Sequence, residues 1–160
     1  TPATVCLAVP LYEQLELLKK NKVAVVCGIL SGTLASLTGI FVLCMLFGFN
    51  HQQYVTMLPK SITTAIGIGI SEELGGIVTI TVAVIIITGI LGNVIADTVF
   101  HIFKIKNPLA KGLALGTASH AIGTARAIEM GPVEGAMSSL AVAVAGLLTV
   151  VFVSGFAQLI

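Results

Sequence analysis

The sequence has 160 residues, of which 56% are hydrophobic and 9% are charged, and its formal net charge is +1. An ordinary soluble domain carries about 25% charged residues, so this composition argues against a soluble domain and indicates a membrane protein. The small net charge, and a sequence without a basic tract interleaved with aromatic residues, argue against nucleic acid as a partner. The lipid bilayer is the predicted environment.

Three long apolar segments predict membrane-spanning helices. They cover Val23 to Phe49, Ile77 to Phe103 and Val133 to Ile160, and a helix needs about 20 apolar residues to cross a bilayer. A transmembrane β-barrel is not expected, because apolar and polar residues do not alternate along these segments. Residues 1–11 are predicted to end a preceding apolar segment. We therefore expect an all-α membrane protein, a multi-span helical bundle forming a single transmembrane domain over residues 1–160.

Two clusters of lysines predict the orientation of these spans. Short loops rich in Lys and Arg face the cytoplasm, and the clusters consist of Lys19, Lys20 and Lys22, and of Lys104, Lys106 and Lys111. Both clusters can be cytoplasmic only if the short segment Pro59 to Gly76 does not change sides. This segment is therefore predicted to be re-entrant or broken, which is tolerated where protein or a water-filled cavity covers the backbone.

A short pattern, AIGxxxxxExG, occurs twice in the chain. The copies run from Ala65 to Gly75 and from Ala121 to Gly131, an offset of 56 residues. Because the preceding helices run in opposite directions, the copies would enter from opposite faces, as in an inverted repeat with units 23–76 and 77–132 and a final span 133–160. Chance similarity is the alternative, since alanine, isoleucine and glycine are common here. Transporters built on inverted repeats place their substrate site near the midplane.

The second copy lies in the stretch "GTASHAIGTARAIEMGPVEG", which concentrates polar groups in an apolar chain. Thr117, Ser119 and Thr124 offer hydroxyl groups, His120 offers an imidazole, and Arg126 offers a permanent cation. A guanidinium group binds a carboxylate through two hydrogen bonds, and an unpaired charge in a bilayer is costly. The stretch therefore predicts a site for a small carboxylate.

Structural roles are the alternatives for the same residues. Arg126 could pair with Glu129, three residues further on the same helical face. His120 could be a buried imidazole bonded to a carbonyl group, or a proton relay or substrate donor; its small neighbours favour an aqueous cavity. Ser61 could cap a half-helix, and Asn93 could bond to a broken helix.

The full set of candidate residues combines both copies with the intervening helix. The predicted substrate-binding residues are Ser61, Thr63, Thr64, Asn93, Thr117, Ser119, His120, Thr124 and Arg126. Glu73, Glu129 and Glu134 are predicted to have structural or coupling roles. The sequence has no HExxH, P-loop or GxGxxG pattern, so no enzyme activity, cofactor or metal is expected.

Several motifs resemble a known family. "PATVCLAVPLYEQ", "LPKSITTAIGI", "SEELGG" and "KGLALGTASHAIGTARAIEMGPVEGAMSSL" are similar to the LrgB/CidB family of bacterial membrane proteins. The resemblance covers essentially the whole chain, and the block from Lys111 to Leu140 is its most specific part. Family members are longer at the N-terminus, so the chain is expected to be the C-terminal portion of an LrgB-like protein.

The resemblance implies a multi-pass protein of the bacterial inner membrane that acts with a small LrgA/CidA-like partner in a homo- or hetero-oligomer. It also implies two alternative functions. One is transport of small carboxylates such as pyruvate or glycolate, as in a related plastid glycolate/glycerate carrier. The other is holin/antiholin-like control of murein hydrolase activity and autolysis. The resemblance places the functional region at Thr117 to Glu134, and we favour the transporter.

Overall fold

The structure, a computed structural model, describes residues 12–160, so the apolar segment predicted at 1–11 lies outside the described residues. The described part is helical and contains no strand, which confirms the all-α prediction. The helices are α1 (Leu15–Lys20), α2 (Lys22–Leu46), α3 (His51–Met57), α4 (Thr64–Glu73), α5 (Val78–Ile102), α6 (Pro108–Met130) and α7 (Pro132–Ala157).

Three helices, α2, α5 and α7, are long and apolar enough to cross a bilayer. Each contains 25 or 26 residues, about 38 Å of helix at 1.5 Å per residue. Their outward faces expose large apolar side chains such as Val26, Ile87 and Val151, which suits contact with lipid tails. These helices correspond to the three predicted spans.

The two lysine clusters lie at the same end of the bundle. Asn21, just before α2, and Asn107, just before α6, line one groove, and α5 ends beside the start of α6. We call this the lysine end. At the opposite end the Nδ1 atom of His51 lies 2.7 Å from the carbonyl oxygen of Ile160. The arrangement agrees with the predicted placement of both clusters on one side of the membrane.

Helices α3 and α4 form a hairpin that enters from the opposite end. Tyr54 donates a hydrogen bond to the carbonyl of Phe156 near the end of α7, at 2.9 Å. At the tip, the hydroxyl group of Ser36 in α2 donates to that of Ser61 at 3.0 Å. Ser36 lies ten residues before Leu46, the last residue of α2, so the tip reaches about 15 Å into the bundle.

This first hairpin begins earlier than the sequence predicted. The re-entrant segment was predicted to start at Pro59. Instead α3 is capped by Asn50 and Gln53 in a reciprocal pair of hydrogen bonds, and its residues 54–56 are buried. The inbound limb is a seven-residue helix, too short for hydrophobic periodicity to identify it.

Helix α6 forms a second hairpin, which enters from the lysine end. It is interrupted at His120, whose backbone angles are φ 42° and ψ −138°. A Cβ atom added to Gly116 would lie 3.0 Å from the Cα atom of Ser138, so the two backbones pack closely. The hydroxyl of Thr124 forms a hydrogen bond with the hydroxyl of the same Ser138 at 2.8 Å. Residues eight apart in an unbroken helix are separated by about 12 Å. The limbs 108–119 and 121–130 therefore run antiparallel, with His120 at the tip.

The helix bounds follow the offset found in the sequence. Helices α2 and α5 each contain 25 residues, and both ends of α5 are shifted by 56 residues from those of α2. Each is followed by a hairpin, and the two hairpins enter from opposite ends. The geometry therefore agrees with an inverted repeat.

Glycines in α5 allow the second hairpin to pack closely, which generates a prediction for Gly92. A Cβ atom there would lie 2.7 Å from the Cβ of Ser119, and overpacking of this kind costs about 1–3 kcal/mol. We expect Gly92→Ala to lower the thermal unfolding temperature of the detergent-solubilised protein. Gly39→Ala is the control, because nothing lies within 4 Å of its added Cβ; equal melting temperatures for both variants would contradict the close packing.

Candidate functional site

A groove of about 760 Å³ runs between α2 and the first limb of the second hairpin. It extends from Asn21 and Asn107 at the lysine end to Lys60 and Ser61 at the tip of the first hairpin. Small side chains form much of its walls, namely Ala24, Gly28, Ser31, Gly32, Ala35, Ala110, Ala114 and Ala118. The groove is therefore open, has walls of small side chains, and is polar at its inner end.

Lys60 provides the cation at the inner end of the groove. Its ammonium group donates a hydrogen bond to the hydroxyl of Ser61 at 2.8 Å, and Ser36 donates to the same oxygen at 3.0 Å. Lys60 is half-buried and lies at the depth of Ser36, about 21 Å along α2 from Lys22. An ammonium group has three donors, and within residues 12–160 one of them is used, which leaves two to bind a ligand in the groove.

A small void lies behind this group of hydroxyls. Its volume is about 10 Å³, and the residues that line it include Thr33, Ser36, Ser61, Thr117 and Thr149. Thr33 is 3% exposed, and its hydroxyl has no hydrogen-bond partner in the described structure. Because such a volume accommodates about one water molecule, the void can hold a water or one oxygen atom of a ligand.

Thr117 is the hydroxyl-bearing residue of the second hairpin that lines the groove. Its hydroxyl donates to the carbonyl of Leu113 at 2.8 Å, and it lines both the groove and the void. Of the predicted substrate-binding residues, Ser61 and Thr117 are the two that line the groove.

His120 lies at the tip of the second hairpin but outside the groove. Its Nε2 atom is 2.9 Å from the carbonyl oxygen of Ile85, and its ring packs against Gly89. The side chain is 3% exposed, so the expectation of an aqueous cavity around the ring was wrong. Any residue larger than glycine at position 89 would clash with the imidazole ring. The geometry matches the structural alternative, a buried imidazole bonded to a carbonyl group.

Three other candidates hold the second hairpin in place. Asn93 donates a side-chain hydrogen bond to the carbonyl of Ile122 at 3.1 Å. Thr124 bonds to Ser138, and Ser119 packs against Gly92. These contacts join the tip to α5 and α7, so none of the three side chains faces the groove.

Arg126 is held in ion pairs on a different face from the groove. Its guanidinium group donates to Asp97 of α5 and to Glu129 at 2.7 Å. The pairing with Glu129 is the alternative that the spacing suggested, and Asp97 adds a second carboxylate from a separate helix. The geometry therefore does not place Arg126 beside Lys60 as a second cation for a substrate.

The remaining candidates lie at helix ends. Thr63 precedes α4 and Thr64 begins it, but no side chain caps this helix, so the suggestion that Ser61 caps it was wrong. Glu73 is exposed at the end of α4. Glu134 is buried in the first turn of α7, with its carboxylate beside Gly131.

Sequence reasoning missed two residues at the inner end, Lys60 and Ser36. Lys60 was not among the predicted site residues, although it is the single charged residue between Lys22 and Glu72. That isolation was the available signal. Ser36 gave no signal, because one serine in an apolar helix commonly bonds to its own backbone.

Comparison with known proteins gives consistent matches along the chain. Residues 1–159 match the model of the LrgB-like family. The chain is 41% identical over 159 residues to the "Antiholin-like protein LrgB" of Bacillus subtilis (strain 168), covering 99% of this chain and 69% of that protein. Proteins with the same name in Bacillus cereus (strain B4264) and Bacillus anthracis (strain CDC 684 / NRRL 3495) are 42% identical over 155 residues, covering 97% of this chain and 67% of each. No solved structure matches.

The ion pairs of Arg126 generate a stability prediction. Arg126→Gln and Asp97→Asn should each be mildly destabilising, and the double variant should be less destabilised than the sum of the two single variants, because the two side chains pair with each other. Unfolding of the solubilised protein by denaturant measures this coupling. Strictly additive effects would show that the two side chains do not interact.

Proposed function

Because the chain belongs to the LrgB-like family and is a multi-pass bacterial membrane protein, we propose that it transports small carboxylates of the pyruvate or glycolate type. The observation that carries this proposal is the position of Lys60. An ammonium group lies at the inner end of an open groove, about midway along the membrane-spanning helices. Cations at this depth are costly unless they are paired, so the position favours an anionic ligand.

The contacts around Lys60 suit a small carboxylate. Its free N–H donors would bind the carboxylate oxygens, while Ser61 keeps the ammonium in place through the existing 2.8 Å hydrogen bond. The unpartnered hydroxyl of Thr33 offers a further contact through the void, either directly or through one water. The alanine and glycine walls leave room for a compact ligand and provide few polar contacts for a larger one.

The opposed hairpins provide a route for alternating access. Both tips contact the same residue of α5, since Gly67 packs against the Ile85 side chain and His120 bonds to the Ile85 carbonyl. The second hairpin also packs on α2 through Gly28 and Gly32. A movement of this hairpin against α2 would close the groove at the lysine end, as one repeat rocks against the other in related architectures.

We place a small LrgA/CidA-like membrane protein and further subunits in the working assembly. The exposed apolar faces of α2, α5 and α7 offer surface both for lipid and for neighbouring subunits. The relatives that match are about one and a half times as long as this chain, so the full-length protein is the unit to test.

Transport tests the proposal directly in proteoliposomes that contain the full-length protein, with and without its small partner. We expect saturable uptake of labelled pyruvate or glycolate without leakage of an inert dye. Lys60→Gln should reduce uptake at low substrate concentration by about tenfold or more, because a hydrogen bond to a charged group contributes about 1.5–3 kcal/mol.

Two variants serve as controls for Lys60→Gln. Lys20→Gln removes an exposed lysine at the lysine end and should leave uptake unchanged. Arg126→Gln should also retain most uptake, since its side chain pairs with Asp97 and Glu129. Normal uptake by Lys60→Gln together with loss in Arg126→Gln would reverse the assignment of the substrate cation.

The second candidate function is the one in the relatives' name. Proteins 41–42% identical to this chain are called antiholin-like, and that name favours control of membrane permeability and murein hydrolase activity. Dye leakage that depends on the small partner and is suppressed by this protein, without saturable uptake, would support this function and reject the carrier.

A further inference from the structure

A second pocket lies at the lysine end, on the far side of the second hairpin from the groove. Its volume is about 540 Å³. Its lining residues come from the end of α5, the connecting loop and the start of α6, and they are Asp97, Phe100, His101, Lys104, Ile105, Lys106 and Lys111. We call this the lysine pocket.

The charge of the lysine pocket is predominantly positive. Within residues 12–160, no carboxylate forms an ion pair with Lys104, Lys106 or Lys111. Asp97 also lines the pocket, but its carboxylate accepts a hydrogen bond from Arg126. The Lys111 ammonium lies 5.8 Å from the centre of the Phe100 ring, which holds it over the pocket wall. An anion would therefore find three available ammonium groups.

The backbone at Lys104 gives an independent reason to assign a function to this pocket. Lys104 has a φ angle of 53°, in the left-handed region that disfavours residues with a side chain. Its N–H bonds to His101 and that of Ile105 bonds to Phe100, which is the usual glycine-type helix ending.

The corresponding turn after α2 uses a glycine. Gly48, 56 residues earlier, has a φ angle of 64°, and the N–H groups of Gly48 and Phe49 make the same two types of hydrogen bond, to Met45 and Cys44. The two turns have the same geometry, but the second places a lysine where the first has the favoured residue. The strain at Lys104 is explained if its side chain binds a ligand.

The position of the lysine pocket suits a lipid headgroup. Helix α5 has 25 residues, about 38 Å, which exceeds the hydrocarbon thickness of about 30 Å and brings its end to the headgroup region. Ile102 and Phe103, 64% and 72% exposed, flank the pocket with apolar side chains. A free phosphate ion would make no favourable contact with these apolar side chains, whereas the acyl chains of a phospholipid would pack against them.

We infer that the lysine pocket binds the phosphate headgroup of an anionic phospholipid at the lysine end of the bundle, through Lys104, Lys106 and Lys111. This site is separate from the groove that contains Lys60, and it anchors the connection between α5 and the second hairpin to the membrane surface. Basic pockets at this level of a membrane protein recognise anionic headgroups by the same charge complementarity.

Binding of phosphatidylglycerol to the full-length purified protein tests the inference. In native mass spectrometry or a fluorescent-lipid displacement assay, phosphatidylglycerol should bind in preference to phosphatidylcholine. The triple variant Lys104→Gln, Lys106→Gln, Lys111→Gln should lose this preference, because the affinity for phosphatidylglycerol should fall by about fivefold for each lysine removed. The matched control is Lys19→Gln, Lys20→Gln, Lys22→Gln, which removes the same charge from the same end and should keep the preference.

Further variants separate binding from folding. Lys104→Gly removes the cation and relieves the backbone strain, so it should bind phosphatidylglycerol more weakly while melting at the same or a higher temperature than the parent. The triple Lys→Arg variant should retain binding. Equal losses in the two Lys→Gln triples would show a general surface attraction and overturn the site. Full displacement of the lipid by inorganic phosphate alone would identify a phosphate-ion site and overturn the lipid assignment.

Discussion

Backbone that leaves the helical conformation inside a bilayer must find hydrogen-bond partners or cover within the protein, and this constraint shapes the whole structure. The second hairpin reverses at His120 near the middle of the bundle. Asn93 bonds to the carbonyl of Ile122, and Gly89 and Gly92 let the tip lie directly against α5. At the first tip, Ser36 and Lys60 both donate hydrogen bonds to the hydroxyl oxygen of Ser61. Each reversal is therefore supported by polar side chains that an uninterrupted helix would not need.

The same polar support produces the candidate site. Because the first hairpin ends beside Ser36, its single lysine comes to the inner end of a groove that opens at the lysine end. The second hairpin forms the opposite wall through Thr117 but keeps His120 and Arg126 away from the groove. The first hairpin thus supplies the cation of the groove, and the second supplies the opposite wall.

The sequence predicted the spanning helices and the two opposed entries because those depend on composition and charge. It did not locate the hairpin boundaries, since α3 is short and the second reversal occurs at a histidine instead of glycine or proline. Arg126 was predicted to bind the substrate as a permanent cation. Its partner Asp97 lies 29 residues away in the sequence and becomes a neighbour only in the folded bundle. Lys60 was visible as an isolated charge, but its position at the inner end of the groove depends on the depth of the first hairpin, which no local pattern specifies.

The depth of the first hairpin is the central claim, and disulfide cross-linking tests it most directly. In the full-length protein with its native cysteines replaced, Ser36→Cys and Ser61→Cys should form a disulfide rapidly under mild oxidation in membranes, because the hydroxyl oxygens of the two serines lie 3.0 Å apart. Ser36→Cys paired with Ser71→Cys, which lies near Thr81 at the opposite end, should not cross-link. Failure of the first pair, or equal cross-linking of both, would contradict a hairpin that brings Lys60 to the inner end of the groove.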